Sequence, residues 1–491
     1  MQIAEYLLSL LQSGLGNLAA YLAAHVLLCL VPAFFMAGAL SALVPKESVT
    51  RFLGRTAPKY ISYPAAAAGG FVLAVCSCTV MPLFSGIYRK GAGLGPAVTF
   101  LFVGPAINIL ALTYSGVALG ADIAIARLLL SMIFGIGIGL IMALIFSRSD
   151  AAHEQAAADP FAGRASVGGR VWLFMGLLLA LLLAGTLQVG LLTDPFVQLQ
   201  LPLAGVERFQ ALLNQWVPFD ATRGEEGVTV QGVVLIALLA SIGLTATRGL
   251  GKVDEGYNRW TPVALGLTAL TLIVASLRMP VTAGGAELQI GGRTVAVALI
   301  LGGLVLAARR FEAYELQEWL FETWRFVKQI FPLLVAGVFA IGALRPLIRP
   351  EWIESLAGQN TVVANFVAVL FGVVMYFPTL VEVPIARLFL DLGMHRGPLL
   401  AYLMADPELS LQSVLITSKI IGRTKALVYV AWVALFSTLA GLLFGAWVDG
   451  ANGWLIIGGA ILGLALLALV LHRLAAFRAA PAVISGKTSH V

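Results

Sequence analysis

Apolar runs about 20 residues long, the length a helix needs to cross a hydrocarbon layer of about 30 Å, recur along the whole chain. They constrain its fold more than any other feature. They lie near 18–44, 128–147, 170–192, 229–247, 260–277, 294–308, 326–344, 426–448 and 454–471. Of the 491 residues, 59% are hydrophobic and 11% charged. A water-soluble core stops growing beyond roughly 250–300 residues, so it cannot hide that much apolar surface. The sequence therefore specifies an all-α protein that crosses a bilayer many times.

The formal charge of +6 does not indicate a nucleic-acid partner, because Lys and Arg sit in short clusters between apolar runs, as orientation signals do. Lys46, Arg51, Arg55 and Lys59 place their loop in the cytoplasm and the N-terminus outside. Arg148, Arg164 and Arg170, then Arg309 and Arg310, then Lys419, Arg423 and Lys425, mark further cytoplasmic turns, and the C-terminus is cytoplasmic. The expected location is the plasma (cell inner) membrane. No Lys or Arg precedes Lys46, which argues against a signal peptide. Three cysteines, Cys29, Cys76 and Cys78, lie in apolar sequence and form no disulfide framework. No nucleotide-binding loop, metalloprotease motif or hydrolase elbow occurs, so no cofactor, metal or catalytic residue is expected. The expected partners are the lipid bilayer and a small-molecule substrate, and a homo-oligomer is left open.

Two apolar stretches, 61–118 and 362–418, are broken by Gly and Pro. With a shift of 302 in residue number they align without a gap over 27 positions: Pro82 meets Pro384, Gly91 meets Gly393, Gly95-Pro96 meets Gly397-Pro398, and Pro105 meets Pro407. The charge pattern requires each to make an odd number of crossings, best met by one span plus a re-entrant hairpin. It also points the copies in opposite directions. Inverted repeats with broken helices are a transporter design. The expected organisation is a first repeat at 1–148, four inserted spans with an amphipathic interfacial helix at 149–325, a second repeat at 326–448, and a final span with a basic tail at 449–491.

The run from Cys76-Ser77-Cys78-Thr79 through Pro82, Gly86-Ile87-Tyr88 and Gly104-Pro105-Ala106-Ile107-Asn108, with the second-half "PTLVEVPIARLFLDLG", resembles the predicted-permease family of the ArsP and YraQ-type proteins. The resemblance covers roughly 18–148 and 326–448, and the central and final spans look like additions to the family's plan. Characterised ArsP members export trivalent organoarsenicals, so the resemblance implies efflux of a soft, thiol-reactive solute by alternating access.

The residues give their own reading of the pathway. Thiolate suits soft centres, and in an unwound stretch Cys76 and Cys78 share one face. Pro82 removes a helical hydrogen bond to the Cys78 carbonyl, which predicts an interruption there. Cys29 reads as packing. Ser77, Thr79, Gly104, Pro105 and Asn108 are pathway candidates, with a break expected at Gly104-Pro105. Glu382 is a carboxylate at bilayer depth, costly enough to need a function. Its repeat counterpart is Val80, which suggests that thiol and carboxylate flank one cavity. Arg387 and Asp391 form an i,i+4 pair, while Asp406 and Glu408, at the second break, are candidates for proton coupling or helix capping. Rival readings are a permease for another small sulfur-containing or anionic solute, a membrane thiol oxidoreductase, and a structural subunit of a membrane complex.

Overall fold

The computed structural model describes residues 2–24, 26–55, 57–73, 77–107, 109–157, 168–187, 190–203, 205–217, 227–282, 285–344, 351–374, 379–453 and 458. The first part comprises α1 (Gln2–Ala24), α2 (Val26–Leu43), α3 (Lys46–Leu53), α4 (Lys59–Leu73), α5 (Ser77–Arg89), α6 (Leu94–Ala106), α7 (Ile109–Ala118), α8 (Ala121–Ile145) and α9 (Ser147–Ala157). The central part holds α10 (Gly169–Thr186), α11 (Gly190–Thr193), α12 (Val206–Trp216), α13 (Val230–Gly249), α14 (Trp260–Ser276) and α15 (Gly292–Ala308). The last part runs through α16 (Ala313–Leu344), α17 (Glu351–Ala357), α18 (Val362–Val374), α19 (Thr379–Asp391), α20 (Arg396–Leu409), α21 (Leu411–Ile421) and α22 (Arg423–Val448). Among the described residues four helices are long and apolar enough to cross a membrane, and a fifth results if α20 and α21, bent by 47°, count as one span. The protein is an all-α polytopic membrane protein.

Three elements depart from the sequence reading. The apolar run at 18–44 is divided between α1 and α2. The charged, aromatic segment 309–329, read as an interfacial helix leading into the next apolar run, has no boundary with that run: from Ala313 the two form one 32-residue helix, because Glu, Lys, Arg and Leu are all strong helix formers. The segment "VTAGGAELQIGGRTV" (Val281–Val295), whose sequence resembles a small hairpin, gains a third strand, Pro195–Leu201, giving an antiparallel sheet with Gly285–Gly291 between Pro195–Leu201 and Val281–Thr282. The run at 454–471 lies outside the described residues apart from Gly458. The central helices α10, α13 and α14 pack on the outside of α1 and α2, and α15 packs on α10 and α14.

The shift of 302 carries α5, α6, α7 and α8 onto α19, α20, α21 and α22 to within one residue at every helix end. Left-handed glycines recur at the same places: Gly91 (φ 89°) with Gly393 (φ 88°), and Gly120 (φ 115°) with Gly422 (φ 91°). Glycine reaches that region without the Cβ clash that other residues suffer. Two repeat-equivalent residues touch, the Phe134 and Phe436 rings standing 4.9 Å apart. At the start of α20, Arg396 reaches Asp122 in the first turn of α8 at 2.8 Å and lies 6.0 Å from the Phe444 ring near the end of α22. Thus α8 begins where α22 ends, and the two helices run antiparallel. Four helix pairs between the repeats follow the same two-fold exchange. Helix α5 packs on α21, α7 on α19, α6 on α20 and α8 on α22.

This symmetry gives the broken stretches a definite path. One end of the bundle gathers basic residues: Lys90 Nζ meets the Val44 carbonyl at 2.7 Å, Lys425 reaches Tyr88 at 3.4 Å, and the Leu94 N–H donates to Asp150 at 2.9 Å. A cavity of about 300 Å³ at this end is lined by Arg55, Lys59, Tyr63 and Asp150. The opposite end holds Asp122, Arg396, and His395 at 3.0 Å from Asp449. Helix α4 starts at the basic end and reaches Gly70, where an added Cβ would stand 2.9 Å from the Gly104 amide. Helix α5 returns to the basic end at Arg89, so α4 and α5 form a re-entrant pair. Helix α6 starts at the basic end, and α7 continues to the other, a broken span. The pairs α18–α19 and α20–α21 repeat this from the opposite end, where a Cβ added at Gly372 would stand 3.0 Å from the Asp406 amide.

Candidate functional site

Helix α8 is apolar apart from Asp122 in its first turn and one interior charge, Arg127. Arg127 is wholly buried, so its guanidinium must find all its partners within the protein. Its Nε donates to the Ala106 carbonyl at 2.8 Å, which belongs to the last residue of α6. One Nη lies 3.5 Å from Ser115 Oγ on α7. The other donates to both Glu382 oxygens, at 3.0 and 3.1 Å. Glu382, 1% exposed, sits in the first turn of α19, where the helix dipole favours an anion. One buried ion pair therefore joins the two repeats and ties α6, α7, α8 and α19 together.

The symmetry-related position has the same geometry and different chemistry. Tyr429 occupies the place of Arg127, and Glu408 that of Ala106. The Tyr429 hydroxyl donates to Glu408 Oε2 at 2.5 Å. Glu408 and Asp406 close α20 fully inside the protein. Ser410, between α20 and α21, caps the latter by accepting from the Ser413 N–H. Thr417, the counterpart of Ser115, lies 3.6 Å from Met81 Sδ on α5, in the other repeat.

Ser77 and Cys78 open α5 at its inner end, with their side chains outside the described residues. Cys76 and Asn108 lie outside the described residues, as does the Cys29 side chain. Thr79 is buried within α5. Pro82 and the Gly104-Pro105 pair do not interrupt their helices: α5 runs unbroken from Ser77 to Arg89, and α6 continues to Ala106, breaking at Ile107 (φ −122°, ψ 32°). Each proline deletes a single backbone hydrogen bond, and helices packed on both sides hold the rest of the turn. Glu382 does not stand as a lone carboxylate, because Arg127 neutralises it. Arg387 and Asp391 do pair, at 3.0 Å, but on the surface, each 56% exposed and away from the buried cluster. Among the described residues no group of three His, Cys, Asp or Glu side chains could hold a metal.

Arg127 is the residue that the sequence reading missed. It stands one position before the run placed at 128–147 and passes there for a boundary charge. The available signal was Glu382, since a carboxylate at depth requires a cation of equal depth.

The model of the predicted-permease family ArsP_1 matches residues 13–446. The chain belongs to that family. The UPF0718 protein MJ0584 of Methanocaldococcus jannaschii is 33% identical over 448 residues, 91% of this chain and 98% of the relative. No solved structure matches. The chain is thus a membrane permease, a transporter rather than an enzyme. The central helices lie inside the matched range, and a relative aligned over nearly its full length extends through them. The family likeness therefore extends through 149–325 and is not confined to 18–148 and 326–448.

Proposed function

We propose that this permease moves a small solute through the interface between its two repeats by alternating access. The observation carrying the reading is the antiparallel exchange of packing about Phe134 and Phe436, with broken helices on both sides and one buried ion pair joining the halves. Such halves can rock about a fixed centre. With the basic end of the bundle in the cytoplasm, the N-terminus is outside; a further crossing by the apolar run at 454–471 brings the C-terminus inside, and the protein sits in the plasma membrane.

The solute we favour is a soft, thiol-reactive species such as a trivalent organoarsenical, carried outward. Cys78 opens α5 at its inner end, directly after Cys76 and Ser77 in sequence, and thiolates bind soft centres. A small anionic solute is the second reading, since the inner starts of α5, α7, α19 and α21 turn the positive ends of four helix dipoles toward the middle of the bundle. The deciding experiment is uptake of phenylarsine oxide by everted vesicles. Cys78→Ser abolishes it at unchanged protein level, Cys76→Ser weakens it, and Cys29→Ser leaves it intact. Full uptake by Cys78→Ser moves the site away from the cysteines.

A further inference from the structure

Two equivalent positions bury charge in opposite ways. In the first repeat Arg127 reaches residue 106 and is neutralised by Glu382. In the second, Tyr429 reaches residue 408, and the group it meets is an acid. Glu408 is 1% exposed, and among the described residues it forms no ion pair; its Oε1 has no hydrogen-bond partner. The helices packed on α20 offer no spare cation at that depth. Helices α6 and α18 carry no ionisable residue, and Arg127 and Glu382, on α8 and α19, are spent on each other. Tyr429 is neutral, and α20 itself adds Tyr402 and Asp406 beside Glu408, and Arg396 only at its far end. Lys419, Arg423 and Lys425 stand at the basic end, while Asp122, Arg387, Asp391 and Arg396 stand toward the other.

An ionised carboxylate so placed loses hydration worth far more than one phenol hydrogen bond returns. A neutral acid avoids that cost. We propose that Glu408 is a proton-binding site of the permease. In the conformation seen, Oε1 carries the proton while Oε2 accepts from Tyr429. When the joint between α20 and α21 moves and admits water, the Oε1–H bond breaks, the proton passes to that water, and a carboxylate remains, still held by Tyr429. The proton state rests on the geometry alone; its coupling to solute rests on the transport reading above.

Infrared difference spectroscopy of the reconstituted protein tests the site directly. At about pH 7, where exposed carboxylates are ionised, wild type minus Glu408→Gln shows the carbonyl band of a protonated carboxylic acid, shifted in heavy water. Tyr429→Phe moves that band to higher frequency. A difference spectrum containing only carboxylate bands overturns the proposal. Should Glu408→Gln fail to insert, Tyr429→Phe decides: a shifted acid band supports the site, and an unaltered spectrum refutes it. In the transport arm, Glu408→Gln retains exchange of phenylarsine oxide at equal pH and loses accumulation driven by a pH gradient. Gradient-driven accumulation by the variant refutes coupling through Glu408. Failure of the wild type to move the probe would count against the solute, and the spectra would still decide the proton site.

Discussion

The ion pair joining the repeats makes a quantitative prediction. At a separation of 3.0 Å and an effective dielectric constant of about 20, the attraction is about 5.5 kcal/mol. Part of this offsets the desolvation of both groups, yet removing one partner leaves the other buried and uncompensated, at a cost of about 3–5 kcal/mol. Glu382→Gln keeps the shape and one acceptor oxygen but strands the guanidinium. Arg127→Met strands the carboxylate and deprives the Ala106 carbonyl of its donor, about 1 kcal/mol more. In the double variant neither charge remains, so its loss is smaller than that of either single variant. The expected coupling energy is about 3 kcal/mol or more in a double-mutant cycle. Titration of detergent-solubilised protein with sodium dodecyl sulfate, followed by the fluorescence of its nine tryptophans, measures it. Additivity within about 0.5 kcal/mol refutes the reasoning, because it would mean that each side chain finds another partner when the first is gone.

Two further predictions test the symmetry and the orientation. A Cβ at Gly441 would stand 2.6 Å from the Gly397 carbonyl, and one at Gly139 would stand 2.6 Å from the Gly95 carbonyl. Gly441→Ala and Gly139→Ala should therefore each destabilise the protein by about 1–3 kcal/mol, and a neutral effect at either would show that the helix crossings can spread. Cysteines placed at Asp122 and Asp449 in a cysteine-free background should label from outside intact cells, while those at Arg148 and Arg423 should label only after permeabilisation. Labelling of Asp122 and Arg423 from the same side would dismiss antiparallel copies.

The repeat was legible because proline and glycine are constrained by backbone geometry, which the second copy must reproduce: Gly91 and Gly393 sit at matching left-handed turns. The same residues misplaced the helix breaks. Pro82 and Pro105 lie inside continuous helices, since the loss of one hydrogen bond is small against the packing of α5 on α2 and of α6 on α4 and α8. The strand Pro195–Leu201 was hidden because its partner, Gly285–Gly291, lies far along the chain and beyond any local pattern. Arg127 escaped for a different reason. Hydropathy reads a lone arginine near a run's edge as its boundary, and only the folded pairing with Glu382, 255 residues away, shows it to be interior.

The symmetry holds in the backbone of α5–α8 and α19–α22 and is broken in the charges, and that combination carries a consequence for the transport reading. If the two repeats were chemically identical, exchanging their roles would interconvert two conformations of equal energy, and neither would be preferred. Here one of the two equivalent positions holds Arg127 opposite Glu382, while the other holds Tyr429 beside Glu408, with Val80 in the place of Glu382. Exchanging the halves therefore places an ion pair where an acid–phenol pair stood. The first keeps its charges matched and needs nothing from water, whereas the second can be relieved only by gaining or losing a proton. The energy difference between the two conformations must then vary with protonation at one end of the exchange and not at the other. On the proposed alternating-access reading, the ion pair that clamps α8 to α19 and the acid that closes α20 on α22 are thus unequal partners: the first biases which conformation is at rest, and the second makes that bias depend on protonation.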